Sequence, residues 1–501
     1  MIRLYNTLTR QEEPFTPLRD NTVRMYACGL TVYARGHIGN FRTFVCLDVL
    51  RRALKYHCGY GVREAINYTD VDDKTIAGAQ NAGLPLREYT DQWIRAFRED
   101  AEALGIEPPE ETPRATDERN MRAMSDMVLA LEGNGHTYRS DGSVYFKIST
   151  LPEYGKLARL DHEGMKAGAR VDVDEYAKED ARDFVVWKAS REGEPSWDLP
   201  CGPGRPGWHI ECSAMSLRLL GEPPLDIHAG GIDLIFPHHE NEIAQSEGAT
   251  KKPFSRFWVH VEHLFVENEK MSKSLGNTFT LPDVIARGHR PSALRYLLLS
   301  SHYRKQLNFT WTGMEQAEEA LRRLTDFLDR LETVTHVAPT EVVTATSTGT
   351  SGVAQAAAAQ TAPSVAAGLQ SRGKDLADKA RSAFGQAIES DLNTAGALAA
   401  IFDLVRDVNK AIDEKQFTRG DVDPVRRALE DFDKVLGVIA LRRAEDARPP
   451  VPVEEIERLI EERHAARRRR DFAAADQIRR SLADRGILLE DNPTGTRWKR
   501  K

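Results

Sequence analysis

The run Thr22-Val23-Arg24-Met25-Tyr26-Ala27 is rich in apolar positions and ends at Cys28-Gly29, which predicts a short buried strand closing in a turn. Gly36 and Gly39 follow. Phe41, Phe44, Val45 and the apolar residues of 47–50 then predict a helix to about Leu54, with Arg51, Arg52 and Lys55 at its solvated end. A second strand ends near Ile66-Asn67-Tyr68, before the acidic turn Thr69-Asp70-Val71-Asp72-Asp73 and another helix. Strand, glycine turn, helix, strand is the opening of a parallel nucleotide-binding sheet.

Helices are expected from about Leu86 to Glu132, and a less regular stretch with the strand Ser143–Lys147 from 133 to 200. A helix near Glu211–Leu220, a strand at Leu225–His228 with an Ala229-Gly230-Gly231 turn, and a helix from about His239 to Glu247 come next. Phe257–His260 and Leu264–Val266 read as strands. From Thr310 the pattern is helical, including Leu376–Ile412 and Val422–Leu441, and Arg448-Pro449-Pro450 punctuates the start of a last unit. Residues 333–371 are Ala-, Thr-, Ser- and Gly-rich and bury too little to offset the entropy of ordering, so a flexible insertion is expected. The fold class is therefore α/β, a Rossmann-like parallel-sheet domain with an insertion, followed by a helical bundle and a small C-terminal module. The boundaries expected are 1–132 and 201–309 for the two halves of the sheet domain and 133–200 for the insertion or connection. The bundle is expected at 310–445 and the final module at 451–501.

A chain of 501 residues supports several cores. With 41% hydrophobic and 29% charged residues and no run of eighteen apolar positions, no membrane span is expected. The start, MIRLYNTLTRQEEPF, has no apolar leader core. Five cysteines, an odd number thinly spread, argue against a disulfide scaffold and fit a reducing cytoplasm. The net charge of −7 excludes a uniformly basic nucleic-acid glove, yet residues 451–501 carry thirteen Lys or Arg against ten Asp or Glu. That basic end on an acidic body is a plausible polyanion contact.

Two segments carry nucleotide chemistry. In His37-Ile38-Gly39-Asn40, glycine lets backbone approach phosphate, the helix start offers amides, and His37 can donate to a phosphate oxygen. Thr31, Tyr33 and Asn40 are pocket candidates. In Glu269-Lys270-Met271-Ser272-Lys273-Ser274, two lysines three apart in a polar loop can neutralise the β- and γ-phosphates as pyrophosphate leaves. Neither a P-loop nor a dinucleotide glycine pattern is present. A metal site is a third candidate. His238 and Glu242 in Pro237-His238-His239-Glu240-Asn241-Glu242 stand four apart on one helix face, and Cys28 and Cys212 can complete a tetrahedral S, N, O set that favours zinc. Buried free thiols beside a surface His–Glu pair fit the same spacing.

The two loops resemble the paired signatures of class I aminoacyl-tRNA synthetases. Met25–Gly29, Thr31-Val32-Tyr33, Asn67–Lys74, Gly207–Met215 and Asp226–Glu242 further resemble the bacterial cysteinyl-tRNA synthetase family over nearly the whole chain outside 333–371. That resemblance implies activation of L-cysteine by ATP, with Mg2+, and transfer to tRNA-Cys by a cytoplasmic enzyme. His37, Asn40, Lys270 and Lys273 would be catalytic, with Gly39, His37 and Lys273 binding ATP. It implies one zinc ion per chain on Cys28, Cys212, His238 and Glu242, and Thr31, Thr69, Trp208 and His209 around the cysteine. It implies anticodon recognition by the C-terminal module, where Arg467, Arg468, Arg497 and Trp498 are contact candidates. Direct coordination of a thiolate would distinguish cysteine from serine, a choice that fit alone achieves poorly. Ala34 and Arg35 after Tyr33, and Ala65-Ile66 before Asn67, depart from the family pattern. A monomer is expected, since no assembly segment is evident. Two alternatives share these residues: a cysteine ligase acting on an amino sugar, and a catalytically weak RNA-binding paralogue.

Overall fold

The computed structural model describes residues 1–160, 182–271, 275–336, 371–492 and 495–500. Its centre is a four-stranded sheet in the order Ser255–Val261, Leu225–Gly231, Thr22–Ala27, Gly61–Ile66, parallel throughout. The first half of the chain winds outward from Thr22–Ala27 to Gly61–Ile66, and the second from Leu225–Gly231 to Ser255–Val261. Winding therefore reverses between the two central strands, which opens a crevice beyond their carboxyl ends where open α/β sheets bind ligands.

Apolar residues cover both faces of the sheet, as a parallel sheet requires. On one face the core runs continuously from Val23 and Ile227 through Phe41, Leu50 and Leu298 into the helical bundle at Phe384 and Phe432. The other face packs Tyr26 and Trp258 against Met124, Ile210 and Phe146. Phe146 belongs to a five-stranded antiparallel sheet of Thr137–Ser140, Ser143–Phe146, Phe184–Lys188, Trp197–Leu199 and Gly202–Pro206, so the stretch read as less regular from 133 to 200 contributes regular strands on both sides of residues 161–181, which lie outside the described residues. The bundle comprises Trp311–His336, Arg372–Glu389, Thr394–Asp413, Arg419–Leu436 and Ile439–Asp446. Helices Val453–Arg468 and Phe472–Asp484 and a two-stranded sheet, Ile487–Asn492 with Gly495–Arg500, close a separate small core around Ile456, Leu482 and Ile487.

Several expectations are corrected. Ala229, Gly230 and Gly231 are not a turn but the end of the strand Leu225–Gly231, because each pairs in register with Val259, His260 or Val261. Leu376–Ile412 is two helices, broken where Asp391 and Leu392 take φ of 51° and 53°. Val422–Leu441 is likewise broken at Gly437, whose φ of 65° ends the first helix in a left-handed cap. The helix beginning at His239 starts as a π turn, Ile235–His239, and continues as Glu240–Thr250. Of the proposed 333–371 insertion, 333–336 end the helix Trp311–His336, 371 caps Arg372–Glu389, and 337–370 lie outside the described residues. Among the described residues no helix is long and apolar enough to cross a membrane.

Candidate metal centre and nucleotide cleft

Cys28 follows directly on the strand Thr22–Ala27, Cys212 stands in the helix Trp208–Leu220, and His238 and Glu242 straddle the change from π turn to α-helix. Residues up to 214 positions apart thus meet at the carboxyl end of the sheet. One ligand atom from each of Cys28, Cys212, His238 and Glu242 lies within 4.8 Å of the other three, and all four side chains are buried. His238 Nε2 stands 3.0 Å from Glu242 Oε1, yet the nitrogen finds no hydrogen-bond geometry there. Glu242 Oε2 is similarly 3.3 Å from His228 Nε2 and unbonded. Buried polar atoms are nearly always satisfied, so His238 Nε2 and Glu242 Oε2, which find no hydrogen bond at the centre of this cluster, fit donors to a shared cation. Two thiol sulfurs, an imidazole and a carboxylate form the donor set that suits zinc.

Charge in this cluster is redistributed. Burial pushes the Cys28 thiol up, and Cys212 and Glu242 push it the same way, consistent with a thiol that donates to Glu242 Oε1 at 3.2 Å. Burial opposes ionisation of Cys212 too, but the hydrogen bond with Cys28 and the contact with His238 bring it down to about 6. Against burial, Glu242 and Cys212 hold His238 up to about 10, and against the same penalty His228 and His238 keep Glu242 well below the usual carboxylate range.

A second set shares two members: Cys28, His228, His239 and Glu242 also bring ligand atoms within 4.8 Å. His239 Nδ1 meets His260 Nε2 at 2.8 Å, and His260 Nδ1 meets Thr7 Oγ1 at 2.8 Å. The sequence reading missed His228 as a donor. Its signal was its place in the strand register, opposite Tyr26 and two positions from Cys28.

Above the cluster lies a cleft of about 330 Å³, lined by Cys28, Gly29, His37, Gly39, Asn40, Asp233, Glu262, Lys270 and Met271 among others. His37 and Asn40 cap the helix Ile38–Arg52 reciprocally: His37 Nδ1 accepts from Asn40 N at 3.2 Å, and Asn40 Oδ1 accepts from His37 N at 3.0 Å. An accepting Nδ1 leaves Nε2 as the protonated nitrogen of the neutral ring. A Cβ on Gly39 would stand 2.4 Å from Met271 Cε, the mobile end of a side chain, so the two signature segments meet at this point of the cleft. Lys270 is exposed on the short strand Glu269–Lys270; Lys273 lies outside the described residues. Asp233 and Glu262 are cleft carboxylates that the sequence pattern did not single out.

Thr31 and Thr69 form a parallel bridge between the loops after the strands Thr22–Ala27 and Gly61–Ile66, with Thr69 buried and Thr31 half-buried. The Trp208 ring centroid is 4.2 Å from that of His238, so Trp208 walls the metal cluster. His209 is buried behind His238 and against Phe184. On the C-terminal module, Arg468 and Arg497 are exposed, and Arg467 pairs with Asp491 at 3.0 Å. Trp498 is half-buried against the module's core, whereas the ring of Phe472, directly after Arg467–Asp471, is 63% exposed.

Residues 14–319 match the model of the class I (C) tRNA synthetase catalytic domain, 383–440 the DALR domain, and 451–498 the cysteinyl-tRNA ligase anticodon binding domain. The chain is 49% identical to a cysteine–tRNA ligase of Solibacter usitatus and 47% identical to one of Koribacter versatilis, with all of both chains covered in each case. Among solved structures it is similar in fold to Mycobacterium tuberculosis methionyl-tRNA synthetase in complex with methionyl-adenylate. That likeness has a TM-score of 0.56 and 17% identity, covering 84% of this chain and 90% of the other.

Proposed function

The chain belongs to the cysteine–tRNA ligase family, and from that premise we propose how its residues divide the work. The enzyme activates L-cysteine with ATP and transfers it to tRNA-Cys. In the first step a carboxylate oxygen of cysteine attacks the α-phosphorus of ATP, the bond to the β-phosphate bridging oxygen breaks, and pyrophosphate leaves. In the second, a hydroxyl of the terminal adenosine attacks the acyl carbon and AMP leaves.

His37, Gly39 and Asn40 receive the phosphates: glycine allows close approach, Asn40 fixes the His37 ring, and Nε2 donates to oxygen as negative charge develops. Lys270 and Lys273 neutralise departing pyrophosphate, with Mg2+ accompanying the nucleotide. Asp233 and Glu262 offer carboxylates to the ammonium group of cysteine. Thr31, Thr69 and Trp208 enclose its short side chain, and His209 orients His238. Cys28, Cys212, His238 and Glu242 hold one zinc ion, a set favoured over the one with His228 and His239 because it supplies two sulfurs. Bound there, zinc would stabilise the thiolate of cysteine, whose free thiol ionises near pH ~8.5, and would reject the harder hydroxyl of serine. At the far end, Arg467, Arg468 and Arg497 offer cations to RNA phosphates, and Phe472 offers exposed aromatic surface to unpaired bases, with Trp498 presenting only the edge that its packing on the module core leaves open. The enzyme acts as a monomer in the cytoplasm.

The observation that carries this account is the convergence of four buried ligand atoms within 4.8 Å beside the cleft that holds His37 and Lys270. Its test is ATP–pyrophosphate exchange with cysteine and with serine, run beside charging of a tRNA-Cys transcript. Exchange that depends on cysteine and zinc, with stable charging, is expected. Exchange indifferent to zinc, or acylation of an amino sugar in place of tRNA, would overturn it.

A further inference from the structure

Neither the metal centre nor the cleft uses Asp391, in the turn between the bundle helices Arg372–Glu389 and Thr394–Asp413. The turn is strained: Asp391 and Leu392 are consecutive non-glycine residues in the left-handed region, a conformation that persists only where surroundings over-determine it. Here they do. Buried Asp391 accepts from Tyr5 N at 2.8 Å and from the Tyr303 hydroxyl at 2.6 Å through Oδ1, and from Arg304 Nε at 2.5 Å through Oδ2. His302 Nε2 stands 3.6 Å from Oδ2, and Asp391 N donates to Arg3 O at 3.1 Å. The Arg304 guanidinium also bonds Glu12 and lies 4.2 Å from the Tyr5 ring centroid. One carboxylate therefore gathers the first residues of the chain, the segment at 302–304 and the bundle.

From this hub, contacts lead directly to the cleft. Tyr303 O accepts from the backbone N–H of Glu262, which lines the cleft, at 2.8 Å. His302 O accepts from Arg42 Nη2 at 3.4 Å, and Arg42 belongs to the helix that His37 and Asn40 cap. The bundle in turn holds the C-terminal module, since Arg500 Nη1 donates to Glu445 O at 3.0 Å and Arg448 O at 3.2 Å.

We propose that Asp391 is a positioning residue that registers the helical bundle, and with it the RNA-binding end of the chain, against the wall of the nucleotide cleft. The inference rests on the tRNA ligase reading above. Adenylate formation needs only the cleft. Acyl transfer needs the cleft and the distant module to engage one rigid RNA together, so slack at this turn falls on the RNA-dependent step. Ionisation matters because three donors converge on two oxygens. An amide keeps one acceptor but presents N–H groups to Arg304 or to the Tyr5 and Tyr303 donors.

The test compares Asp391→Asn and Tyr303→Phe with the wild-type enzyme in ATP–pyrophosphate exchange and in charging of a tRNA-Cys transcript. For Asp391→Asn, KM for tRNA should rise about tenfold, with exchange kept within about twofold. Tyr303→Phe, which loses one donor and no charge, should move KM for tRNA the same way by a smaller factor, and carries the test alone if the Asn variant does not fold. Unchanged KM for tRNA, or exchange and charging falling by a common factor, would overturn the proposal. A wild-type enzyme that exchanges pyrophosphate but never charges tRNA would instead overturn the reading beneath it.

Discussion

The Nδ1 atoms of His209 and His238 lie 2.9 Å apart, both rings buried, so one ring fixes the other with Nε2 of His238 turned toward Glu242. Partners that orient a ligand ring govern metal affinity nearly as strongly as ligands do. His209→Ala should weaken zinc binding by about 10- to 100-fold, read by competition with a chromophoric chelator. Affinity equal to wild type would show that His238 needs no such support.

Lys270 lines the cleft and is not one of the four candidate metal donors. Lys270→Ala should slow adenylate formation by about 10²-fold, the scale of losing one preorganised charge at a developing anion, while zinc content stays unchanged. Pre-steady-state adenylation beside metal analysis separates the two. A full rate would remove Lys270 from the phosphate machinery.

Gly29 packs so closely on the neighbouring strand end that a Cβ would stand 1.6 Å from Asn67 O, and its own N–H donates to Asn67 Oδ1 at 2.9 Å. Gly29→Ala must push these two loops apart. A loss of about 1–3 kcal/mol from overpacking is expected in denaturant titration, together with a raised KM for cysteine, because Cys28 moves with its neighbour.

Glu64 is buried beside Arg51, with 3.3 Å between Oε2 and Nε, but Arg51 also bonds Glu107 and Glu110 at 2.5 Å each. Burial pushes the Glu64 carboxyl up to about 8 while Arg51 pulls it down. Folded Glu64 thus keeps a proton that the unfolded chain releases near 4.5. Its contribution to stability is complete below 4.5, falls as pH rises, and is lost above about 8. Glu64→Gln should gain on wild type across that window by on the order of a few kcal/mol. Denaturation at pH 5 and pH 8.5 reads the difference; a gap that does not change with pH would contradict it.

Much of the site was legible because local chemistry repeats in short words. His37-Ile38-Gly39-Asn40 carries its own helix cap, and His238 and Glu242 lie one helical turn apart. Cys28 and Cys212 are a different matter: nothing local joins residues 184 positions apart, so residue chemistry offered them as completing ligands beside the alternative of buried free thiols, and the resemblance then named them. His228 escaped as a possible donor because its approach to Cys28 and Glu242 depends on cross-strand register, which no single strand reveals. Trp498 was singled out as an aromatic near arginines, but hairpin pairing with Leu489 turns it against the module core, whereas Phe472 at the helix start is exposed. The break at Asp391 and Leu392 was hidden because both leave the helix through a conformation their side chains disfavour, whereas the break at Gly437 is the left-handed glycine cap that a helix end favours.

The zinc environment tests the account most directly, through X-ray absorption of the purified enzyme with and without L-cysteine. Two sulfur neighbours at about 2.3 Å, with one nitrogen and one oxygen, are predicted at rest, and a third sulfur when cysteine is present but not when serine is. One sulfur with two nitrogens would assign the ion to Cys28, His228, His239 and Glu242, and a sulfur count that cysteine leaves unchanged would contradict recognition of the substrate by its thiolate.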